Sequence, residues 1–115
     1  MTNPVVSTVD LHTHTTASDG LLAPAALVSQ ARAQGLSVLG IADHDTVDGL
    51  AEAMAAADAT GITLVPAVEL STSIHGHEVH ILGYFVNPDD DAFRARLADL
   101  AQSRIRRIER MVERL

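Results

Sequence analysis

Apolar and polar positions alternate along the chain in two distinct rhythms. Val5 to His12 is rich in β-branched residues and predicts a first strand that ends in a polar loop running to Gly20. Pro24 suits a first helical turn, the Ala and Leu spacing from Ala25 to Gln34 predicts a helix, and Gly35 is placed to close it. Val38 to Ala42 is a short apolar run of the kind found in buried parallel strands. Asp45 or Thr46 suits the cap of a second helix running to about Ala59, and Gly61 follows its end. Ile62 to Val68 predicts a third strand. Leu70–Ile74 and Glu78–Val86 then flank His75-Gly76-His77, which has the form of a hairpin turn. Strands separated by helices and short loops argue for an α/β fold with parallel strands.

From Asp90 the rhythm changes. Phe93, Leu97, Leu100, Ile108, Met111 and Leu115 recur at helical spacing among Arg, Glu and Asp, which predicts one long amphipathic helix. No glycine or proline stops it, so the helix is expected to run past Leu115. The division expected is residues 1–88 as one α/β unit and residues 89–115 as a helical segment. No internal repeat or low-complexity linker interrupts either.

Composition narrows the chemistry. The 115 residues suffice for one core, and the net charge of −7 disfavours a broad nucleic-acid-binding surface. With no cysteine, a disulfide framework and thiolate ligation are excluded, leaving His and carboxylate as metal ligands. Met1 to Ser7 has neither a basic region nor an apolar run, and no stretch approaches the ~20 apolar residues of a membrane span. The expected location is the cytoplasm.

Candidate chemistry gathers where the predicted strands end. In Asp10-Leu11-His12-Thr13-His14, alternate residues of a strand share a face, so His12 and His14 present two imidazoles side by side. Asp10 shares their parity and is placed to orient one imidazole. The second strand ends in Asp43-His44-Asp45, and the third delivers Glu69 to the same rim. Asp43 and Asp45 are expected behind His44 as supporting groups, with Asp45 suited to capping a helix rather than ligating. Asp19 belongs to a turn, Ser18-Asp19-Gly20, and is a candidate because that loop lies beside His12 and His14. His80 sits inside an apolar strand, whereas His75 and His77 occupy a turn and are expected to face solvent. The nitrogen and oxygen donors suit Zn, Mn or Fe better than Mg or Ca. Neighbouring ions of this kind activate water and clamp the attacking and leaving oxygens of a phosphoryl group, and a carboxylate such as Glu69 can bridge two of them. Metal-assisted attack by hydroxide follows, with no Ser or Cys nucleophile. The arginines of the last helix (Arg104, Arg106, Arg107, Arg110, Arg114) read first as a solvated face.

The runs DLHTHTTASDG, GLSVLGIADHDTVDGL, LVPAVELS and HEVHILGYF resemble, in order and spacing, the motifs of the PHP (polymerase and histidinol phosphatase) family. The likeness extends over nearly the whole chain from Val9. Within the family it looks most like stand-alone phosphoesterases acting on nucleoside monophosphates, 3′,5′-bisphosphates or short RNA ends. The SDG loop and the HILGYFVNPDD run into a long helix carry that likeness. Polymerase-associated members usually have a longer loop in place of SDG.

The resemblance implies that His12, His14 and Glu69 hold one divalent ion and that Asp19 and His44 hold a second. Glu69 would bridge to a third ion bound by His80. Glu69, His44 and Asp19 would then be the catalytic core of a site with two or three ions (Mn, Zn or Fe), its substrate a small phosphorylated nucleotide or short RNA. It also implies a distorted (β/α) barrel, of which this chain supplies the N-terminal part and the start of a helical insertion. A barrel commonly takes ~250 residues, so the other half, with a later His and an Asp-x-His pair, is expected from further sequence. The family's usual threonine before the Asp-His pair is Ala42 here. Two other readings compete: a non-catalytic metal-binding or assembly half-domain, and amidohydrolase-like chemistry, against which Glu69 and the DHD motif weigh.

Overall fold

A computed structural model describes residues 8–114 of the chain. The strand expected from Val5 is observed as β1 (Val9–Thr13), and Val5, Val6 and Ser7 lie outside the described residues. There follow α1 (Pro24–Ala33), β2 (Val38–His44), α2 (Leu50–Thr60), β3 (Thr63–Ile74), β4 (His77–Tyr84) and α3 (Asp91–Glu113). The four strands form one sheet in the order β1-β2-β3-β4. The first three are parallel, and β4 returns antiparallel to β3. The hairpin is observed, but its turn is shorter than the expected His75-Gly76-His77: His77 already belongs to β4, and the two residues left, His75 and Gly76, are both at positive φ (51° and 80°), which suits the twist of the flanking strands.

Helices α1 and α2 pack on the sheet through small residues. Val28 and Ala31 of α1 and Leu50, Ala53 and Ala57 of α2 close on Leu39, Ile41 and Val68 of the strands. Alanine at these positions permits close approach and favours the helices themselves. The three parallel strands thus present their C-terminal ends at one rim of the sheet.

The structure corrects two boundaries. Helix α2 begins at Leu50 rather than at Asp45 or Thr46, and its N-cap is Gly49, with no side-chain capping bond. Asp45 instead adopts a left-handed φ of 54° and turns its carboxylate inward. The third strand also runs on past Glu69 to Ile74 as one element of 12 residues. Helix α3 starts as expected: the Asp90 side chain accepts the Phe93 N–H at 2.9 Å and caps it. Leu97 is the buried residue of α3 and joins the core cluster, with Phe93 packed against it; the rest of the helix lies over the body. Among the described residues no helix is long and apolar enough to cross a membrane.

Candidate metal centre

The rim expected from the strand ends is a single cluster centred on Glu69. Register explains the first contact: His44 pairs with Glu69 across the parallel β2–β3 ladder, and the Asp45 N–H donates to the Glu69 carbonyl at 3.0 Å. Four imidazoles surround the buried Glu69 carboxylate. His12 Nε2 is 2.5 Å and His14 Nε2 3.6 Å from Oε1, while His80 Nδ1 is 2.7 Å and His44 Nδ1 3.4 Å from Oε2. Asp19 reaches in from its loop, 3.2 Å from His44 Nε2 and 3.6 Å from His14 Nδ1. The rings of His14 and His44 stack at 4.7 Å with 9° between their planes.

These six side chains fall into three overlapping triads, His12–His14–Glu69, His14–Asp19–His44 and His44–Glu69–His80, each with its donor atoms within 4.8 Å of one another. The triads contain the pairings implied by the resemblance and add His14 to the second and His44 to the third. Two features fit divalent ions. His14 Nδ1 is buried without a hydrogen-bond partner. And four imidazoles with one buried carboxylate cannot all be protonated without strong mutual repulsion, whereas neutral imidazoles are ready ligands.

Electrostatics follows the same geometry. Burial works to raise the Glu69 carboxyl's pKa, but the His12 hydrogen bond and the charges of His44, His12 and His14 outweigh it and hold it below its ordinary 4.5. His80 is raised above 6.5, first by its hydrogen bond to Glu78, with Glu69 adding to it against desolvation. Its two ring nitrogens face two carboxylates, Glu69 at 2.7 Å and Glu78 at 3.1 Å.

The supporting residues are placed less as expected. Asp10 accepts the backbone N–H of His12 at 3.2 Å and meets no imidazole. A register shift between Asp10 and Thr13 breaks the strict alternation from which its role was inferred. Asp43 does not flank the His44 ring but ties down the loop of Asp19. Its Oδ1 accepts the Thr15 N–H and the Ser18 hydroxyl, both at 2.7 Å, and its Oδ2 accepts the Thr15 hydroxyl at 2.6 Å. Asp45, also buried, is no helix cap: Oδ1 accepts the Ser71 N–H at 2.9 Å and Oδ2 meets Arg104 of α3 at 2.5 Å. His75 and His77 are exposed, as expected.

Sequence reasoning missed Thr15, Glu78 and Arg104. Glu78 had a signal, since it lies two residues before His80 on the same face of β4. Thr15 and Arg104 had none, because their partners lie 28 and 59 residues away.

Fold and rim together define the class: an α/β protein whose strands deliver a His- and carboxylate-rich cluster of the kind that binds divalent metals. Residues 10–112 match the PHP domain, and the chain belongs to that family. It is 53% identical over 74 residues to a 5′-3′ exoribonuclease of Haemophilus influenzae, covering 64% of this chain and 27% of that protein. It is 39% identical over 106 residues to a 3′,5′-nucleoside bisphosphate phosphatase of Chromobacterium violaceum, covering 92% and 37%. A crystal structure from Bifidobacterium adolescentis, provisionally named a metal-dependent phosphoesterase, superposes with a TM-score of 0.83 at 38% identity, covering 97% of this chain and 39% of that one. The chain therefore spans well under half the length of these relatives, and its fold is the N-terminal part of a PHP-type α/β barrel.

Proposed function

We propose that this chain carries the metal-holding half of a phosphoesterase active site that hydrolyses nucleotide-type phosphate esters: a nucleoside monophosphate, a 3′,5′-bisphosphate or a short RNA end. The observation that carries the reading is Glu69, a buried carboxylate ringed by four imidazoles at the rim of the sheet. The names of the two curated relatives, a nucleoside bisphosphate phosphatase and an exoribonuclease, support the substrate class.

In this reading His12, His14 and Glu69 hold one ion, Asp19 with His44 and His14 a second, and Glu69 with His80 and His44 a third. Mn, Zn or Fe suits the donors. When bound, such ions acidify water and offset the charge of a phosphoryl group. The protein's part is positioning. Glu78 accepts from His80 Nε2 and so turns Nδ1 toward Glu69, the arrangement by which a carboxylate fixes a ligand's tautomer. Asp43 fixes the loop that presents Asp19, and Asp45 anchors Arg104 above the rim. Residues 1–88 form the site-bearing unit, and 89–115 begin the helical segment over it. The later His and the Asp-x-His pair implied by the family resemblance would come from sequence beyond these residues. The cytoplasm is the proposed location.

The test pairs metal analysis with a phosphate-release screen on AMP, adenosine 3′,5′-bisphosphate and 5′-phosphorylated RNA, with Mn or Zn supplied. The expected result is stoichiometric metal that Glu69→Gln loses, together with metal-dependent release that the variant abolishes. Unchanged metal content in Glu69→Gln contradicts the bridging role. No metal-dependent release from any of these substrates by a chain of the relatives' length overturns the activity.

A further inference from the structure

The cluster opens into a cavity of about 650 Å³ lined in part by Asp19, His44, Glu78 and His80. A phosphoryl group entering it meets the carboxylates of Asp19 and Glu78, in a chain whose net charge is −7. The arginines that line this cavity are Arg104 and Arg107, both from α3. Of the two, only Arg104 is held by hydrogen bonds among the described residues. Its Nη1 donates to Asp45 Oδ2 at 2.5 Å and to the Ser71 hydroxyl at 3.1 Å, while the Ser71 N–H donates to Asp45 Oδ1 at 2.9 Å.

Both anchors belong to the strands that carry the candidate ligands. Asp45 follows His44 at the end of β2, and Ser71 stands opposite His80 across the β3–β4 ladder, two residues after Glu69. The guanidinium is therefore placed by the same backbone as the cluster. A counter-ion for the buried Asp45 is the plainer account of Arg104, and it explains Nη1. It leaves the rest of the fork unexplained. Two of the five N–H donors go to Asp45 and Ser71, and those of Nη2 and Nε have no hydrogen-bond partner among the described residues. The Arg104 side chain is 42% exposed although that of Asp45 is 5% exposed, so the unspent donors are open to solvent at the cavity. A guanidinium edge of this kind takes two oxygens of a phosphoryl group at once.

We propose that Arg104 is a catalytic residue of this site: its Nε–Nη2 edge holds two non-bridging oxygens of the phosphoryl group under attack and offsets the charge that gathers on them. The inference rests on the phosphoesterase reading above and adds to it a residue of α3 that touches the reacting group. In the hydrolysis a water oxygen bonds to phosphorus and gives up a proton. The ester P–O bond breaks, its electron pair stays on the leaving oxygen, and that oxygen takes up a proton. Arg104, always protonated, exchanges no proton and acts through charge and orientation alone. Asp45 and Ser71 are positioning residues, since they act through the guanidinium.

The test reads binding and turnover separately. Phenylphosphonate, a phosphoryl analogue with no ester bond to cleave, is titrated calorimetrically against the chain with Mn and in EDTA. Arg104→Ala should raise its Kd about tenfold or more, the scale of a charge-assisted contact. Arg104→Lys keeps the charge but loses the fork, and should recover only part of the affinity. Arg104→Ala/Asp45→Asn removes the stranded carboxylate and should bind as weakly as Arg104→Ala. Arg94→Ala, which cuts the other ion pair of α3, should leave the affinity unchanged. In phosphate release from adenosine 3′,5′-bisphosphate by a chain of the relatives' length, Arg104→Ala should lower kcat about a hundredfold or more, with a smaller rise in KM. Wild-type affinity in Arg104→Ala, recovered affinity in the double variant, or no binding of phenylphosphonate in either condition overturns the role. Undiminished hydrolysis by Arg104→Ala also overturns it and leaves the phosphoesterase reading standing. Arg104-dependent binding beside failed hydrolysis by the wild type overturns that reading and supports the phosphoryl contact.

Discussion

Asp43→Asn is the sharpest probe of how the fold serves the rim, because Asp43 touches none of the candidate ligand side chains. Its carboxylate is buried, as is Thr15, and between them they close three hydrogen bonds at 2.6–2.7 Å together with Ser18. In the variant the amide oxygen can replace Oδ1 and keep the Thr15 N–H and Ser18 bonds. Both then fall from charge-assisted to neutral strength, a loss of about 1 kcal/mol each. The amide NH₂ meets the Thr15 hydroxyl where Oδ2 stood, so that hydroxyl must accept. It already accepts the Ala17 N–H at 3.1 Å, so it has a lone pair to spare, but its own hydrogen is left buried with no acceptor. An orphaned buried donor costs about 1–3 kcal/mol.

The sum is about 3–5 kcal/mol, a large share of the roughly 5–15 kcal/mol that holds a domain together. Urea denaturation of the metal-free chain should move its midpoint down by about 1.5–2.5 M, taking a slope of about 2 kcal/mol/M. Adding Thr15→Val removes the orphaned hydrogen, so the double variant should be less unstable than the two single losses combined by about 1 kcal/mol or more. Asp19 rides on the loop that Asp43 holds, so metal retention should weaken as well. A shift below 0.5 kcal/mol (roughly the effect of an ordinary surface substitution), or strict additivity in the double variant, would refute the account of Asp43 as the loop's anchor.

Three further outcomes are expected. Gly20→Ala places a Cβ against the His14 carbonyl group and 2.7 Å from the Thr15 nitrogen, all backbone, and should cost about 2–3 kcal/mol or more. Gly76→Ala, in open space at a φ of 80°, should cost only about 1 kcal/mol; equal urea midpoints for the two would contradict the packing argument. Arg104→Ala strands the buried Asp45 carboxylate, but Arg104 is itself partly exposed, so the loss should be about 1–2 kcal/mol, below that of a fully buried pair. Amide exchange should quicken in the C-terminal half of α3, and unaltered exchange there would show that the ion pair does not hold the helix down. In the metal-free chain the lowered pKa of Glu69 contributes stability above pH 4.5 that is lost as pH falls through its folded value. The raised pKa of His80 contributes stability below pH 6.5 that is lost as pH rises through its folded value. Metal-free stability should therefore peak between pH 4.5 and 6.5, while metal affinity climbs with pH as ions displace the His80 proton. A melting temperature that is flat from pH 6 to 8 in EDTA would contradict the sign.

What was legible in the sequence was whatever depends on local period and turn chemistry. Glycine 35 and Gly61 end their helices as expected, both at positive φ, and His75-Gly76 makes the turn between β3 and β4. Six candidate ligands, read from strand ends, one loop and the interior of the last strand, converge on a single rim. Several of the errors lie where a side chain is claimed by something distant. Asp45 has the composition of a helix cap, and nothing local reveals that Ser71 and Arg104 will draw its carboxylate inward. Asp10 was assigned by strand parity, which a register irregularity undoes within three residues. Asp43 and Thr15 pair across 28 residues, a contact that exists only once β1 and β2 lie side by side.

The position of Glu69 follows from β3 being two kinds of strand at once. On one side its ladder with β2 is parallel and sets His44 beside Glu69; on the other its ladder with β4 is antiparallel and sets His80 opposite Ser71, two residues on. A strand that ended at Val68 would leave Glu69 in a loop, solvated, and its carboxylate would be an ordinary surface acid. Because β3 continues to Ile74 and pairs there with β4, the carboxylate is held in the sheet and buried, where an unpaired charge would be costly. Imidazoles from the end of β1, the end of β2 and the interior of β4 surround it, and it is the carboxylate shared by two of the three triads. The extension of β3 is thus the feature that brings His80 of β4 to the histidines at the ends of β1 and β2 and makes them one site.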